Sequence, residues 1–325
     1  MAGILNKLAL AAAAALSMAT VGASAATWPT HSIHVTVPYA AGGTVDTVAR
    51  YLAQELGTEL GQPLVVENKP GAGGNIGTMS VTHAAADGYT LLIAGAPTHV
   101  LNPYLYKNLG FDPLKDLTQI ALIGAAPNLL VVNPSLPAKS VQDLVRLAQL
   151  KPGSITFSSS GRGTTGHLAG EMLGSKAGID IRHIPYKGQA DAITAVIRGD
   201  VSFAFVTIPG TLAQVEAGRL RAIAITSAKR SELAPNVPTV AESGYPSFEV
   251  LAWYNLSAPA GLPASIKTRI VDALTKVMQR PATKARFVSL GLEPRLMTGQ
   301  QYLDFLHGES AKWGAVIKAA GIEKR

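Results

Sequence analysis

Cysteine is absent from the 325 residues of the chain. Without a thiol there is no disulfide scaffold, no thiolate zinc site, no iron–sulfur cluster and no cysteine nucleophile. The acylated cysteine that anchors bacterial lipoproteins is excluded for the same reason. Charged residues are scarce at 15%, but 47% of the residues are hydrophobic, which is typical of a folded rather than a disordered chain.

Long hydrophobic runs are also missing, since a membrane span needs about 20 apolar residues. The first segment, Met1–Lys7, carries one positive charge, and the apolar run Leu8–Leu16 that follows is made mostly of alanine. Ala23–Ala25 then has the small-x-small pattern of a cleavage site. Residues 1–25 are therefore typical of a secretory signal peptide. We expect a mature chain that begins near Ala26 and works outside the cytoplasm.

Clusters of basic residues are missing as well, although the formal net charge is +7. No run of lysine and arginine exceeds two residues, and no aromatic residues alternate with them as base-stacking platforms would require. We therefore expect no nucleic-acid partner. A scattered basic surface steers anionic ligands only mildly.

Strand and helix patterns alternate in the first half of the chain. The β-branched run Ile33–Pro38 is followed by apolar residues at helical spacing from Val45 to Leu60. Two further strands are predicted at Pro63–Glu67 and Thr90–Ala94, with a helix at about Asn75–Ala85 between them. This β-α-β-α-β order predicts a parallel sheet with right-handed crossovers.

The same alternation restarts after Gly124. Ser140 is a predicted helix cap, and another helix begins at Thr164 or Thr165. The last segment, Ala264–Arg325, is predicted to be helical throughout, with no further strand, and to pack back on the first sheet.

A chain of this length exceeds one ordinary hydrophobic core. We therefore predict an α/β protein with two lobes, one formed by residues 26–124 together with 251–325 and the other by residues 125–250. The chain would cross between the lobes near Gly124 and near Leu251, and these crossings would form a hinge.

Two glycine-rich loops, Pro38–Asp46 and Ser158–His167, each join a predicted strand to a predicted helix. A helix start leaves about four N–H groups unpaired and carries about half a positive charge, and small residues let a ligand approach those groups. Such a loop is a ready anion site. In α/β sheets the ligand lies at the carboxyl ends of the strands, so both loops should face one cleft.

Several side chains near these loops have competing interpretations. Asp46 lies in a first helical turn, where a carboxylate stabilises the helix, so we interpret it as structural. The hydroxyls of Ser158–Ser160 are donors for a carboxylate. Tyr39, Tyr186 and Trp253 are candidates for an apolar cleft wall, although such aromatic residues also serve as core packing.

The chain lacks complete nucleotide-binding and catalytic motifs. Asn68–Gly77 lacks the third glycine of a dinucleotide fingerprint, and His167 stands where a P-loop needs lysine. The chain has no G-x-S-x-G elbow and no H-E-x-x-H motif. We therefore predict no cofactor, no metal and no catalytic residue. The alternative is a secreted hydrolase that uses Ser159 with His167, although no orienting acid is evident beside them.

With these segments in view, the chain resembles the Bug family, also called the TctC-type extracytoplasmic solute receptors of tripartite tricarboxylate transporters. The resemblance covers essentially the whole mature chain and rests on the order of its motifs. These motifs are Val37–Gly43 with Asp46 and Arg50, Gly61–Pro63, Val66–Gly77, Asp87–Leu92, Asn102–Tyr106, Tyr186–Gly188 and Val237–Thr239.

The resemblance implies a periplasmic protein with a type II periplasmic binding fold that closes on a small organic acid. It also implies a membrane permease as partner, and we expect a monomer. In the family, backbone amides and hydroxyls of two loops hold one carboxylate between the lobes. Carried onto this chain, the residues that hold the carboxylate are Ala41, Gly42, Gly43 and Thr44 at the first loop and Ser158, Ser159, Gly161, Thr164 and His167 at the second. In the family, side chains in the loop after Ala94, near Asn128 and near Val206–Thr207 set the ligand. We therefore also predict Val206, together with the wall residue Tyr39, as ligand-binding.

Val206 departs from the family pattern, because many relatives carry an aspartate there. In the amino-acid-binding relatives we would expect that acid to hold the ligand ammonium, and valine cannot do so. The resemblance therefore implies a ligand without an α-amino group, such as a di- or tricarboxylate or an aromatic acid. A receptor that feeds a sensor kinase rather than a transporter is a further alternative.

Overall fold

The structure is a computed structural model that describes residues 28–186, 188–208 and 211–324. The predicted signal peptide, residues 1–25, lies outside the described residues. Among the helices in the described ranges, none is both long and apolar enough to cross a membrane.

The N-terminal part of the chain forms three parallel strands with helices between them, as the sequence predicts. Its elements are β1 (Ile33–Val37), α1 (Thr44–Leu60), β2 (Leu64–Asn68), α2 (Asn75–Thr82), β3 (Thr90–Gly95) and α3 (Asn102–Leu105). β1 pairs in parallel with β2 on one side and with β3 on the other. The apolar stripe of α1 is buried from Val48 to Leu60, and Gly61 ends the helix with a φ of 76°.

The middle of the chain builds a second set of strands and helices. Its elements are β4 (Leu117–Val132), α4 (Val141–Leu150), β5 (Ile155–Ser159), α5 (Thr165–Ala177), β6 (Ile181–Pro185), α6 (Gln189–Arg198), β7 (Phe203–Thr207), α7 (Leu212–Glu216) and β8 (Arg221–Ile225). β5 pairs in parallel with both β6 and β7. Ser140 caps α4 by accepting a hydrogen bond from the Asp143 amide, which confirms the predicted helix start.

The C-terminal part contains a strand that the sequence analysis missed. Its elements are β9 (Leu251–Pro259), α8 (Ala264–Gln279), α9 (Pro281–Ser289), β10 (Glu293–Thr298) and α10 (Gly299–Ala319). The prediction that this part is helical throughout is wrong, because β10 pairs antiparallel with β4. β10 contains Pro294 and buries only Met297, so it lacks the alternation of buried and exposed residues that identifies a strand. Its register with β4 also shifts between Pro294 and Met297.

β4 is the strand on which the two halves of the molecule are built. From Leu117 to Pro127 it pairs with β9, and from Asn128 to Val132 it pairs with β7. β1 and β3 run in the same direction as β4, since β9 is antiparallel to both β3 and β4. β5 and β7 run in the opposite direction. The carboxyl ends of β1 and β3 therefore point towards those of β5 and β7, and they converge where β4 changes partners.

The C-terminal helices pack on both halves. α8 packs against α1, where Arg280 of the α8–α9 connection pairs with Glu55 and Glu59. α10 contacts β4 and also α5 of the second half. On α10 the buried Glu309 accepts hydrogen bonds from the indole N–H groups of Trp253 and Trp313, at 3.0 Å each. These contacts confirm that the last helices fold back onto the strands of the first half. Through its contact with α5, α10 also reaches the second half of the molecule.

A neutral histidine lies in the core between the sheet and the turn that precedes α3. His99 is 1% exposed, and its Nε2 atom accepts a hydrogen bond from the Asn255 side-chain amide at 2.9 Å. The Thr98 hydroxyl lies 3.1 Å from Nδ1. Burial disfavours the imidazolium and lowers the pKa of His99 to about 4.

The buried His99 should make stability fall in mild acid. Its folded pKa of about 4 lies below the ordinary 6.5, so its stabilising contribution is complete above pH 6.5 and is lost as the pH falls towards 4. We expect His99→Gln to reduce the pH dependence of the free energy of unfolding in this range, by up to about 1.4 kcal/mol per pH unit. Urea denaturation at a series of pH values measures this slope.

The matched control is His307→Gln, since His307 lies exposed on α10. This control should keep the slope of the wild-type protein. Equal slopes in the two variants would contradict a role of His99 in acid destabilisation.

Candidate functional site

The first loop joins β1 to α1 and leaves the helix start without a side-chain cap. Gly42 has a φ of 82°, in the region that favours glycine. Gly43 is the N-cap residue and has no side chain that could occupy the N–H groups of the first turn. A Cβ atom on Gly43 would meet only the Ala40 carbonyl oxygen, at 3.6 Å. The amides of the first turn of α1 are therefore approachable by a small anion.

Asp46 fixes the shape of this loop from behind. Its carboxylate is 3% exposed, and its Oδ2 atom accepts hydrogen bonds from the Gly42 amide at 2.9 Å and from Arg50 Nε at 3.1 Å. Asn68 donates from its side-chain amide to Asp46 Oδ1 at 2.9 Å and to the Tyr39 carbonyl at 3.1 Å. Burial opposes ionisation, but the hydrogen bonds from Arg50, Gly42 and Asn68 outweigh it and hold the pKa of Asp46 below its usual range. This arrangement agrees with the structural interpretation of Asp46. It also occupies the Gly42 amide, which donates its hydrogen bond to Asp46.

Two tyrosines back the first loop. Tyr254 on β9 has a pKa raised by burial to about 12, and its hydroxyl bonds to Thr44 at the start of α1. Burial also raises the pKa of Tyr39, whose hydroxyl lies beside Thr98. Both phenols are therefore neutral hydrogen-bonding groups on the wall behind this loop. Tyr254 was not among the sequence candidates, because only the β3–β9 pairing brings it here.

The second loop joins β5 to α5, and its hydroxyl groups bind backbone carbonyls of the loop and of the neighbouring helix α6. Ser158 is fully buried and donates to the Ala192 carbonyl at 2.9 Å. Thr164 caps α5, and its hydroxyl donates to the Gly161 carbonyl at 2.7 Å. Ser159 Oγ lies 2.9 Å from the Gly161 carbonyl oxygen and accepts from the Gly161 amide at 3.2 Å. These bonds stabilise the turn around Gly161, which has a φ of 132°.

The predicted pair of Ser159 with His167 is not what the structure contains. Ser159 Oγ lies 2.7 Å from Nε2 of His183, on the neighbouring strand β6. His167 instead accepts a hydrogen bond at Nδ1 from the Gly163 amide, at 3.1 Å. The two imidazole rings lie against each other with centroids 4.0 Å apart. The sequence analysis missed His183, because only the β5–β6 register, in which Phe157 faces His183, places it beside Ser159.

Two buried polar groups lie where β4 changes partners. The side-chain amide nitrogen of Asn128 and the hydroxyl of Ser227 are buried and have no hydrogen-bond partner among the residues that the structure describes. The backbone of Asn128 is satisfied, since its N–H donates to the Thr226 hydroxyl and its carbonyl accepts from the Thr226 amide. Unpaired buried polar groups cost stability, so they are natural partners for a ligand.

The structure places the predicted site residue Val206 among apolar side chains. Its side chain is 3% exposed and belongs to a core cluster with Leu129, Ala204 and Ile225. On β7 it is the adjoining Thr207 that lies opposite Asn128 at the junction. A contact between Val206 and the ligand therefore stays a prediction.

Metal ligation gains no support from the described ranges, which contain no group of three or more histidines and carboxylates that could hold a metal ion.

The candidate site is the junction between the two strand sets, bordered by one amide-rich loop from each. The groups that face a ligand here are hydrogen-bond donors of the backbone, hydroxyls and amides. Such groups suit a bound anion.

Comparisons with known proteins identify the family to which the chain is similar. A family model described as Tripartite tricarboxylate transporter family receptor, TctC, matches residues 48–322. The protein BugT of Bordetella pertussis is 34% identical over 324 residues, which covers 98% of this chain and 99% of that protein.

Solved structures are also similar over nearly the whole chain. An R. palustris protein solved with adipate is 34% identical and has a TM-score of 0.79, with 92% of this chain and 100% of that chain covered. The periplasmic binding protein BugD is 33% identical, with a TM-score of 0.75, and 92% of this chain and 100% of that chain are covered. MatC of Rhodopseudomonas palustris, solved with malate, is 29% identical, with a TM-score of 0.74, and 89% of this chain and 100% of that chain are covered.

These likenesses establish the predicted fold, a two-lobed periplasmic binding protein whose curled sheet is shared through β4. They also establish the general role, because the matching family consists of extracytoplasmic receptors for solutes. The chain belongs to the TctC family of tripartite tricarboxylate transporter receptors, the family that includes the Bug proteins.

Proposed function

We propose that this protein is a periplasmic receptor that captures a di- or tricarboxylate or an aromatic acid and delivers it to the membrane permease of a tripartite tricarboxylate transporter. The observation that carries the proposal is the convergence of two glycine-rich loops at the point where β4 changes partners. Each loop ends in a helix of more than ten residues, α1 and α5. Both helix starts therefore favour a negative charge in the same cleft.

The first loop supplies the stronger half of this site. The Gly42 amide is bonded to Asp46, so the amides of Gly43 and Thr44 are the ones aimed at a carboxylate. Each charge-assisted hydrogen bond contributes about 1.5–3 kcal/mol. Four to six such bonds from the two loops sum to about 6–18 kcal/mol, a range whose upper part covers the ~8 kcal/mol of a micromolar affinity together with several kcal/mol for immobilising the ligand. Because the ligand touches both loops only when the lobes close, binding favours the closed state.

The remote end of the ligand would meet the unpaired donors at the junction. Asn128 offers a side-chain N–H₂ and Ser227 a hydroxyl, and neither has another partner among the described residues. Both suit a second carboxylate or a hydroxyl group. The relatives solved with adipate and with malate bind dicarboxylates that lack an amino group. This agrees with the ligand class inferred from Val206.

Delivery to a permease follows from the family rather than from the geometry of the site. In this proposal, residues 1–25 are the signal peptide and the mature protein acts as a monomer. The lobes close about the crossings near Gly124 and Leu251, as the sequence analysis predicts.

A hydrolase is the less favoured function, because the serine has a poor base beside it. Burial, with the nearby charges of His167 and Arg162, lowers the pKa of His183 to about 3. A general base works best with a pKa near the working pH, so this imidazole would accept a proton weakly. We therefore propose that Ser159 and His183 shape the loop and do not perform catalysis.

Thermal shift with small acids tests the proposed ligand class. We expect adipate, malate or another acid without an amino group to raise the Tm, since a ligand at a hundred times its Kd adds about 2.7 kcal/mol of stability. Gly43→Val should abolish this shift, because its side chain occupies the space in front of the α1 amides. Its Tm without ligand should stay near that of the wild type, since a Cβ at this position makes only an ordinary contact.

The control is Gly308→Val on α10, where a Cβ meets nothing within 4 Å. This variant should keep the ligand shift. A retained shift in Gly43→Val would remove the first loop from the site. A response to aspartate and glutamate alone would refute the proposed ligand class.

Asp46 offers a second test, because it positions the loop without facing the ligand. Asp46→Asn removes the charge that holds Arg50 and weakens the bond to the Gly42 amide. We expect the Kd for a bound acid to rise about tenfold or more, as the loss of one charge-assisted hydrogen bond implies. Asp191→Asn is the control, since Asp191 lies exposed in the first turn of α6. Calorimetry that gives the same Kd for both variants would contradict the positioning role.

A chromogenic ester assay separates receptor from hydrolase. We expect no turnover above background, and no difference between the wild type and Ser159→Ala, because His183 is a weak base. Ester cleavage that is lost in Ser159→Ala, with folding retained by circular dichroism, would favour the hydrolase.

A further inference from the structure

A cavity of about 530 Å³ lies behind the second loop, on the side where α10 ends. It is bounded by the loop, by α5 and β6, and by the segment that follows α10. Its lining residues are Leu105, Arg162, Gly163, His167, Glu171, His183 and Ala320–Glu323. Both imidazoles therefore line this cavity beside the loop residues Arg162 and Gly163.

His167 is bound to the loop as an acceptor. Its Nδ1 atom receives the Gly163 N–H at 3.1 Å, which requires a lone pair on Nδ1 and places the ring proton on Nε2. Nε2 lies 3.5 Å from Glu171 Oε1, one helical turn along α5. The neutral ring therefore joins the loop to α5. An imidazolium has N–H groups at both nitrogens and could not accept this bond.

His183 is bound to the same loop through Ser159. The 2.7 Å contact between His183 Nε2 and Ser159 Oγ holds the hydroxyl that also bonds the Gly161 amide and carbonyl. The two histidines thus fix the loop at Gly161 and at Gly163. These glycines, with φ values of 132° and 79°, set the course of the chain into α5.

The charges around the pair decide which protonation state is compatible with this shape. Arg162 from the loop, Glu171 from α5 and Glu323 from the segment after α10 line the same cavity. Each histidine also faces the other at 4.0 Å between centroids, so two imidazolium charges would repel at close range. Burial, the His167 charge and the Arg162 charge lower the pKa of His183 to about 3. His183 is therefore the neutral member of the pair. The bond from the Gly163 amide to Nδ1 requires a neutral His167 as well.

We propose that His167 and His183 are positioning residues that hold the second loop in its ligand-binding shape only while His167 is neutral, so that acid weakens binding by releasing the Gly163 amide. This inference rests on the proposed function, because it concerns the loop that would grip the carboxylate. His167 is the group that responds, since its acceptor bond is the one that protonation removes. His183 supports the loop and limits the charge that the pair carries.

Substitutions at His167 separate this role from simple packing. His167→Asn keeps an acceptor near the position of Nδ1 and has no titrating ring. His167→Phe keeps the ring against His183 but has no acceptor. The binding measurement is calorimetry with adipate and with malate from about pH 8 to about pH 5, a range that brackets ordinary histidine titration. Because the acids themselves titrate, each variant is compared with the wild type at the same pH.

We expect the wild type to lose about tenfold in affinity relative to His167→Asn at the acid end, as the loss of one hydrogen bond to the loop implies. His167→Phe should bind weakly at every pH while its far-ultraviolet circular dichroism stays native. A wild type and His167→Asn with parallel pH profiles would overturn the proposal.

A measurement without ligand keeps this proposal separate from the proposed function. The Gly163 amide resonance and the His167 ring resonances of the ligand-free protein are followed by NMR over the same pH range. We expect them to titrate together. If the His167 ring resonances change with pH while the Gly163 amide resonance does not, the proposal that His167 holds the second loop is wrong, whether or not an organic acid binds. A protein in which they titrate together but which binds no organic acid would instead refute the proposed function.

Discussion

A single shared strand determines the geometry of this receptor. β4 pairs with β9 over its first part and with β7 over its second, so the two strand sets meet without a break in the hydrogen-bonded sheet. β1 and β3 run in the same direction as β4, whereas β5 and β7 run in the opposite direction. The strand ends that carry the two glycine-rich loops therefore point towards each other. The proposed binding cleft is therefore a consequence of topology. Asn128, whose side-chain amide nitrogen has no hydrogen-bond partner among the described residues, lies where β4 changes partners.

Both loops owe their shape to hydrogen bonds from polar side chains of the neighbouring helices and strands. Asp46 and Asn68 fix the first loop from α1 and β2, and His167 and His183 fix the second from α5 and β6. Glycine at these turns permits close approach of a ligand but does not by itself choose one conformation. The buried hydrogen bonds make that choice, and they leave the amides of the first turn of α1 for an anion.

Much of this arrangement is readable in the sequence, and its gaps have physical causes. The apolar stripe of α1 and the glycine turns after predicted strands depend on neighbouring residues only, so local patterns predict them. His183 reaches Ser159 through the register of β5 with β6, which no local pattern contains. β10 was missed because Pro294 and its largely half-exposed residues hide a strand that exists only through pairing with β4. On β7 the sequence alone does not say which face meets the proposed cleft. Val206 packs in a core cluster, and its contact with a ligand stays a prediction.

The hydrogen bonds of Glu309 make the tryptophan fluorescence of the protein sensitive to the position of α10. The sequence has three tryptophans, and the indoles of two of them, Trp253 on β9 and Trp313 on α10, donate to the same buried carboxylate. Indole emission is sensitive to a hydrogen bond and a negative charge at the ring nitrogen. Two of the three tryptophans therefore report on the contact between α10 and the central sheet. Undocking of this helix would be visible without an added dye, even where the rest of the fold remained intact.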